Sequence, residues 1–357
     1  MIRKIAFIIV ASITLLSLSS WGSIGHTMIS FRINLFFNEE MTFFDDWVFY
    51  LSEHASDADK RKRDDPEEGP KHYIDIDNYD MFLDQGRIPT TLDSCITAYG
   101  EQFVEDNGYL PWATLAMYDS VVSCLGRGDW TNAKKYGADL GHYVADGHMP
   151  MHLTRNYNGQ FSGNDGIHAR YEIEMIDRYH DQISYSGTPA AEISDVTQYV
   201  FSYIYSNYVY MDSILIADDY AKEMTGGTSS GLYYTALWER TEHLTNELFK
   251  QASHALAELL YTAWIEAGGP LVGGDVTGNR QFEHVPGKIK IYPNPVKHGE
   301  PLNFQFPFSG DVFATVYDTY GRKTQIMTAF PAELENHSFA LNSSDLSSGS
   351  YFIVLEN

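Results

Sequence analysis

The chain has 357 residues, a formal net charge of −24 and a hydrophobic content of 44%. This length fits two folded units, and the hydrophobic content supports a sizeable core, which argues against wholesale disorder. The negative charge disfavours a stable nucleic-acid partner unless bound metal reverses the local sign. Two cysteines are too few for a disulfide framework.

The first twenty residues are typical of a secretory signal peptide. Two basic residues precede an apolar run from Ile5 to Leu18, and serines follow. The run is too short to be a stable membrane span. Cleavage after Ser20 would make Trp21 the new N-terminus, whereas cleavage after Ser19 agrees better with the preference for small residues near the cut. We predict a signal peptide over residues 1–20.

Helical patterns fill most of residues 21–268. Apolar residues recur at helical spacing, with a proline in the first turn of one helix and glycines where helices end. The clearest predicted helices cover Leu110 to Leu125, Trp130 to beyond Tyr143, and roughly Tyr233 to Ala267. We therefore predict an all-α domain over residues 21–268, followed by a linker rich in glycine over residues 269–287.

The helical period is lost after the linker. Short β-type runs separated by turn residues take its place, and they cover Ile289–Tyr292, Leu302–Phe306, Val312–Tyr317, Ser338–Leu341 and Tyr351–Leu355. This pattern predicts a small all-β sandwich over residues 288–357.

Two histidine–carboxylate pairs with a spacing of four residues stand out. His142 precedes Asp146, His168 precedes Glu172, and His152 lies between the pairs. Residues four apart lie on one face of a helix, so each pair can present two ligands to one point. The other donors in metal-like contexts are His26, Asp59 or Asp57, and His72. Five imidazoles with three carboxylates favour more than one zinc ion over magnesium or calcium. Clustered divalent ions in turn indicate hydrolysis of phosphate esters.

The order of these residues resembles the trinuclear zinc phosphodiesterases, a superfamily that includes bacterial zinc-dependent phospholipases C and single-strand-specific nucleases. The resemblance rests on Trp21…His26, an aspartate before His72, His142-x3-Asp146-x5-His152 and His168-x3-Glu172. It covers roughly Trp21 to Gly268 and implies the helical fold of that superfamily.

The resemblance also implies three zinc sites. Their ligands would be Asp59, His72, His142 and Asp146 for one ion, His152, His168 and Glu172 for a second, and the α-amine and carbonyl of Trp21 with His26 and a shared Asp146 for the third. Asp146 would bridge two ions, a water between them would be the nucleophile, and Asp59 would orient or deprotonate that water. Asp57 is the alternative to Asp59, which is favoured because Ala58-Asp59 followed by basic residues is more similar to the family segment.

We expect a secreted phospholipase C that acts on phospholipids or other phosphodiesters, with transient contact to a membrane surface. Glu172 favours this branch, because the nucleases usually carry aspartate at that position, and Gly166-Ile167-His168 is similar to the phospholipase sequence. A single-strand-specific nuclease of the same superfamily is the alternative. A second alternative is a non-catalytic surface binding protein in which the metals are structural.

The tail has a resemblance of its own. Ile291-Tyr-Pro-Asn-Pro-Val296, the segment from Val316 to Lys323, and Leu346-x2-Gly349-x-Tyr351-Phe352 resemble the C-terminal sorting domain of type IX secretion. The resemblance implies the type IX secretion machinery as a partner and a secreted or cell-surface location reached via the periplasm. The alternative is a generic β-sandwich, such as a carbohydrate-binding or adhesion module.

Overall fold

The computed structural model describes residues 22–270, 290–306, 310–318, 323–332, 337–342, 346–349 and 351–356. The predicted signal peptide, Trp21 and nearly all of the predicted linker lie outside these residues. Within them, the prediction of an all-α domain followed by a small all-β domain is confirmed. None of the described helices is long and apolar enough to cross a membrane.

Residues 22–270 form helices joined by loops and short 3₁₀ turns. The α-helices are α1 (Gly22–Phe31), α2 (Asp45–His54), α3 (Asp57–Arg61), α4 (Asp80–Gln85), α5 (Leu92–Tyr99), α6 (Glu101–Asn107), α7 (Leu110–Gly126), α8 (Trp130–Asp146), α9 (Ile167–Ala169), α10 (Ile176–Tyr179), α11 (Val196–Tyr208), α12 (Met211–Thr225) and α13 (Gly231–Glu266). A π-helical segment, Arg170–Met175, joins α9 to α10.

The longest helix, α13, packs beside α7, α8 and α1 and forms one wall of the core. Leu256 and Leu260 of α13 are fully buried in a cluster that also contains Leu140 of α8 and Trp47 of α2. Helix α8 approaches α13 so closely at Gly141 that a Cβ atom there would lie 2.9 Å from Leu256 Cδ2. This packing holds α8 firmly at the point where it carries the first predicted ligand pair.

The tail contains two antiparallel sheets of three strands each among the described residues. The strands are β1 (Lys290–Tyr292), β2 (Pro301–Phe306), β3 (Gly310–Asp318), β4 (Lys323–Ala332), β5 (His337–Asn342) and β6 (Tyr351–Glu356). One sheet has the order β1-β2-β5 and the other β4-β3-β6. The sequence patterns predicted all of them except β4, which contains Pro331, a residue that weakens a strand assignment.

Candidate metal centre

The first predicted pair lies near the C-terminal end of α8, where His142 and Asp146 are both buried. The neighbouring turn Gly69–His72 brings His72 beside them. His72 Nδ1 lies 2.9 Å from His142 Nε2 and 3.0 Å from Asp146 Oδ2, and His142 Nε2 lies 3.3 Å from that oxygen. Three donors from two separated segments of the chain therefore converge on one point.

The two aspartates that the sequence left open, Asp57 and Asp59, both lie in helix α3 but face different neighbours. Asp59 Oδ1 lies 3.6 Å from His72 Nδ1 and 3.6 Å from His142 Nε2, so Asp59 joins the group. Asp57 points elsewhere: its carboxylate accepts hydrogen bonds from Lys60 at 2.7 Å and His54 at 2.6 Å. We call Asp59, His72, His142 and Asp146 the first donor group.

The second donor group consists of His152, His168 and Glu172, all buried. Glu172 Oε2 lies 2.7 Å from His168 Nε2 and 3.4 Å from His152 Nε2. The sequence predicted His168 and Glu172 on one ordinary helix. The structure instead places His168 in the short α9 and Glu172 in the π-helical segment, a wider winding that recurs at functional sites.

His26 of α1 reaches the same centre from a third direction. Its Nε2 lies 3.6 Å from Asp146 Oδ1, while the other oxygen, Oδ2, faces His72 and His142. The His26 and His142 rings stack with their centroids 4.0 Å apart. Asp146 thus presents its two oxygens to different histidines, as a bridging carboxylate would. Trp21, the remaining predicted ligand, lies outside the described residues.

The donor sets fit zinc. Zinc bonds of about 2.0–2.2 Å in a tetrahedral site place the ligand atoms about 3.3–3.6 Å apart, and the separations within the first donor group run from 2.9 to 3.6 Å. Asp146 Oδ1 and Glu172 Oε1 are also buried without accepting any hydrogen bond. A buried carboxylate oxygen in that condition is costly unless a cation satisfies it.

Backbone carbonyls orient three of the histidine rings. The Nδ1 atoms of His142, His152 and His168 donate to the carbonyl oxygens of Ala55 at 2.6 Å, His72 at 2.7 Å and Tyr157 at 3.1 Å. A carbonyl oxygen only accepts, so the Nδ1 atom carries the proton and the Nε2 lone pair is left for a ligand. Each of these Nε2 atoms points into a donor group.

Burial and neighbouring charges act in opposite directions at this centre. Burial alone lowers the pKa of His142, but the carboxylates of Asp146 and Asp59 outweigh it and raise that pKa to about 9. Burial alone raises the pKa of Asp146, yet His142 and His152 hold it well below its usual range. Burial and then His142 lower the pKa of His26. The Asp146 carboxylate therefore remains ionised, as a cation site requires, and a cation that binds His142 must displace the proton that the raised pKa favours on that ring.

A cavity of about 400 Å³ opens beside both donor groups. His72 of the first group and His152 and His168 of the second lie in its wall, which also includes Lys62, Tyr73, Asp75, Asp106 and Tyr157. Burial, followed by the nearby Asp77 carboxylate, raises the pKa of Asp75 to about 7. A small molecule in this cavity would touch the edges of both groups.

The sequence patterns did not single out Glu68, although it stands four residues before His72 and so has the same spacing as the two recognised pairs. Gly69 and Pro70 disfavour an α-helix between Glu68 and His72, so the sequence provides no reason to expect the two side chains on one helix face. His148 lies in the sequence between Asp146 and His152. It is buried, its Nδ1 donates to Val144 O at 2.7 Å, and it belongs to neither donor group.

Several solved structures are similar to the chain, and two of them are clostridial toxins. They are alpha toxin from Clostridium absonum, at 9% sequence identity, and Clostridium perfringens alpha-toxin from avian strain SWCP, at 11%. Each alignment covers 95% of this chain and 82% of the toxin, with a TM-score of 0.45. No curated protein matches the sequence.

The tail matches a known family. Residues 290–357 match the model of the secretion system C-terminal sorting domain. This match confirms the interpretation of the tail over the generic β-sandwich alternative, and it indicates a secreted or cell-surface location. The chain therefore carries, over residues 290–357, a C-terminal sorting domain of the secretion-system family.

Proposed function

We propose that the chain is an exported zinc-dependent phosphodiesterase of the phospholipase C type. The observation that carries the proposal is that the wall of one cavity contains histidines of both donor groups. Structural zinc sites are closed by their four protein ligands, whereas catalytic sites keep a position open to water or substrate. Donors that border a cavity therefore favour catalysis over a purely structural role.

The residues that would hold zinc are those of the two donor groups, together with His26 and the Trp21 α-amine. Bound zinc would supply Lewis-acid chemistry, which activates water near neutral pH and offsets the negative charge of a phosphodiester. The order of these residues along the chain, which resembles the trinuclear zinc phosphodiesterases, supports three ions.

Two aspartates have different parts in this proposal. Asp146 is fully buried, and its two oxygens face different histidines, so its role is to hold two ions at a fixed separation. Asp59 is only partly buried and lies at the edge of the first donor group, next to Lys62 of the cavity wall. Asp59 is thus the better placed of the two to orient or deprotonate an attacking water.

Charge favours a phospholipid over a nucleic acid. The chain has a net charge of −24, and the cavity wall contains the Asp106 carboxylate, the partly ionised Asp75 with its pKa of about 7, and the ammonium of Lys62. A polyanion would be repelled by this surface, while a headgroup that carries a cation beside its phosphate would be attracted. This charge distribution supports the phospholipase branch over the nuclease branch.

The test is hydrolysis by purified, processed protein. We expect turnover of a phosphocholine ester, loss of activity with a chelator and recovery with zinc. His142→Ala should abolish turnover while His243→Ala, a change at an exposed histidine of α13, should not. Activity on single-stranded DNA with none on phospholipid would assign the chain to the nuclease branch. Undiminished hydrolysis by a folded His142→Ala protein would refute the zinc mechanism.

The proposal also includes the route of the protein. It is exported through the periplasm and recognised by the type IX secretion machinery. The sorting-domain match supports a secretion partner. The third zinc site requires Trp21 to be the first residue of the mature protein, because only a free α-amine can bind the metal. Amino-terminal sequencing of the exported protein tests this requirement, and a residue in front of Trp21 would remove the site.

A further inference from the structure

The His72 ring is oriented differently from those of the other three histidines of the two donor groups. His142, His152 and His168 direct Nε2 into the centre and donate from Nδ1 to backbone carbonyls. His72 is reversed: its Nδ1 atom lies in the first donor group, 3.0 Å from Asp146 Oδ2. Its Nε2 atom faces a side chain, the carboxylate of Glu68, with Oε1 at 3.5 Å.

Glu68 is built into the interior rather than lying by chance on the surface. Only 2% of the residue is exposed. The Tyr143 hydroxyl donates to Glu68 Oε1 at 2.5 Å, Arg61 Nη2 lies 3.2 Å from that oxygen, and Lys71 Nζ lies 3.0 Å from Oε2. Two cations thus balance a buried carboxylate, whose position is fixed from three sides.

We propose that Glu68 is the positioning residue of the first donor group, acting through His72. This inference rests on the proposed function, since it concerns the affinity of the same zinc site. The Glu68 carboxylate lies 3.5 Å from His72 Nε2, so its negative charge favours the proton of His72 on Nε2 and leaves Nδ1 to bind zinc. A carboxylate behind a histidine ligand also increases the basicity of the ligand and fixes the plane of its ring.

The contacts of Glu68 also link His72 to α8. Tyr143 follows His142 in that helix, and Arg61 extends the link because its Nη1 donates to Asp139 Oδ1 at 3.0 Å. The carboxylate therefore ties the segment that carries His72 to the helix that carries His142. Without this link, the two imidazoles would be held at the observed separation mainly by contacts inside the donor group itself, to Asp146 and Asp59.

The test measures zinc affinity and does not depend on any substrate. Protein freed of metal by a chelator is titrated with zinc against a chromophoric competitor. Glu68→Gln keeps the shape of the side chain but removes its charge, and we expect one zinc affinity to fall by about 10–100-fold. The affinities of the other ions should not change. In cobalt-substituted protein, Glu68→Gln should change the visible absorption of the cobalt ion bound by one site only.

Glu67→Gln is the matched control, because Glu67 is an exposed neighbour and should bind zinc as the wild type does. A merely structural role for Glu68 would lower the melting temperature of the zinc-free protein without changing the affinity of the folded form. Unchanged zinc affinities in folded Glu68→Gln overturn the inference.

If Glu68→Gln does not fold, Tyr143→Phe takes its place. That variant keeps the carboxylate and removes its shortest hydrogen bond, so a smaller loss at the same single site is expected. Unchanged affinity in a folded Tyr143→Phe protein then overturns the inference. A wild-type chain that binds no zinc overturns both this inference and the proposed function, whereas normal zinc uptake by the variants overturns this inference alone.

Discussion

The two histidine–carboxylate pairs have the same spacing but lie in different local structures. His142 and Asp146 belong to α8, a regular helix of 17 residues. His168 and Glu172 belong to a short helical turn followed by a π-helical segment of six residues. The donor atoms of the second pair are 2.7 Å apart, and those of the first are 3.3 Å apart.

The surroundings of the pairs differ more than their geometry. Asp146 faces histidines that arrive from α1 and from the turn before residue 73, so one carboxylate serves several partners. Glu172 faces only His168 and His152 among the described donors. The comparison teaches that the spacing of four residues is enough to recognise a candidate pair. How much of the centre depends on the carboxylate of that pair is determined by the number of other segments that bring histidines to it.

The largest effect is expected from Asp146→Asn, compared with Glu172→Gln. Loss of the Asp146 carboxylate should remove zinc from the first donor group and from the position beside His26. Loss of the Glu172 carboxylate should remove only the ion of the second group. We expect hydrolysis by Asp146→Asn to fall by more than about 100-fold, beyond the usual cost of an outer-shell change. Zinc content per chain, measured by atomic emission, checks the difference. Equal zinc losses in the two variants would contradict a bridging role.

A smaller effect is expected from Asp59→Asn, which removes an unshared ligand from the first group. Zinc affinity at that group should fall by at least about tenfold, since the other three donors remain. Asp57→Asn is the matched control, because it weakens only exposed ion pairs with Lys60 and His54, each of which contributes at most about 1 kcal/mol. Zinc titration of both variants is the measurement, and a greater loss for Asp57→Asn would reverse the assignment.

The smallest effect on zinc is expected from Asp218→Asn, which acts on the support of the second pair. Arg170, two residues before Glu172, donates to the fully buried Asp218 at 2.8 Å. Breaking this buried pair should lower the free energy of unfolding by about 3 kcal/mol while leaving all zinc ligands in place. Asp219→Asn is the control, since the Asp219 side chain is 61% exposed.

The pH dependence of this effect has a definite sign. Burial alone raises the pKa of Asp218, but hydrogen bonds from Tyr233, Lys222, Asn164 and Arg170 lower it below its ordinary value. The contribution of Asp218 to the free energy of unfolding is therefore fully present above the unfolded pKa of about 3.9. It is lost as the pH falls through the lower pKa of the folded state. Urea unfolding of zinc-free protein should show a constant gap between wild type and Asp218→Asn from pH 7 to pH 5. The gap should narrow at pH 3, and a gap that widens on acidification would contradict the assignment.

Local patterns determined much of this protein. Apolar periodicity gave the helical domain and the short strands of the tail, because such patterns depend on residues close together in the chain. The spacing of four residues predicted, for the same reason, that the histidine and the carboxylate of each pair lie close together, and they do. The motifs of the tail were sufficient to identify the sorting domain, which the family match confirms.

Only the tertiary structure decided which aspartate joins the centre, because Asp57 and Asp59 are both close to His72 in the sequence and only their side-chain directions separate them. It also determined that His72 directs Nδ1 toward the centre while His142, His152 and His168 direct Nε2 toward it, and that Glu68 lies beside His72 Nε2. The winding of the segment at Arg170 and the cavity beside the donor groups depend on contacts between distant segments. Such contacts follow from the packing of whole helices, which no short stretch of sequence encodes by itself.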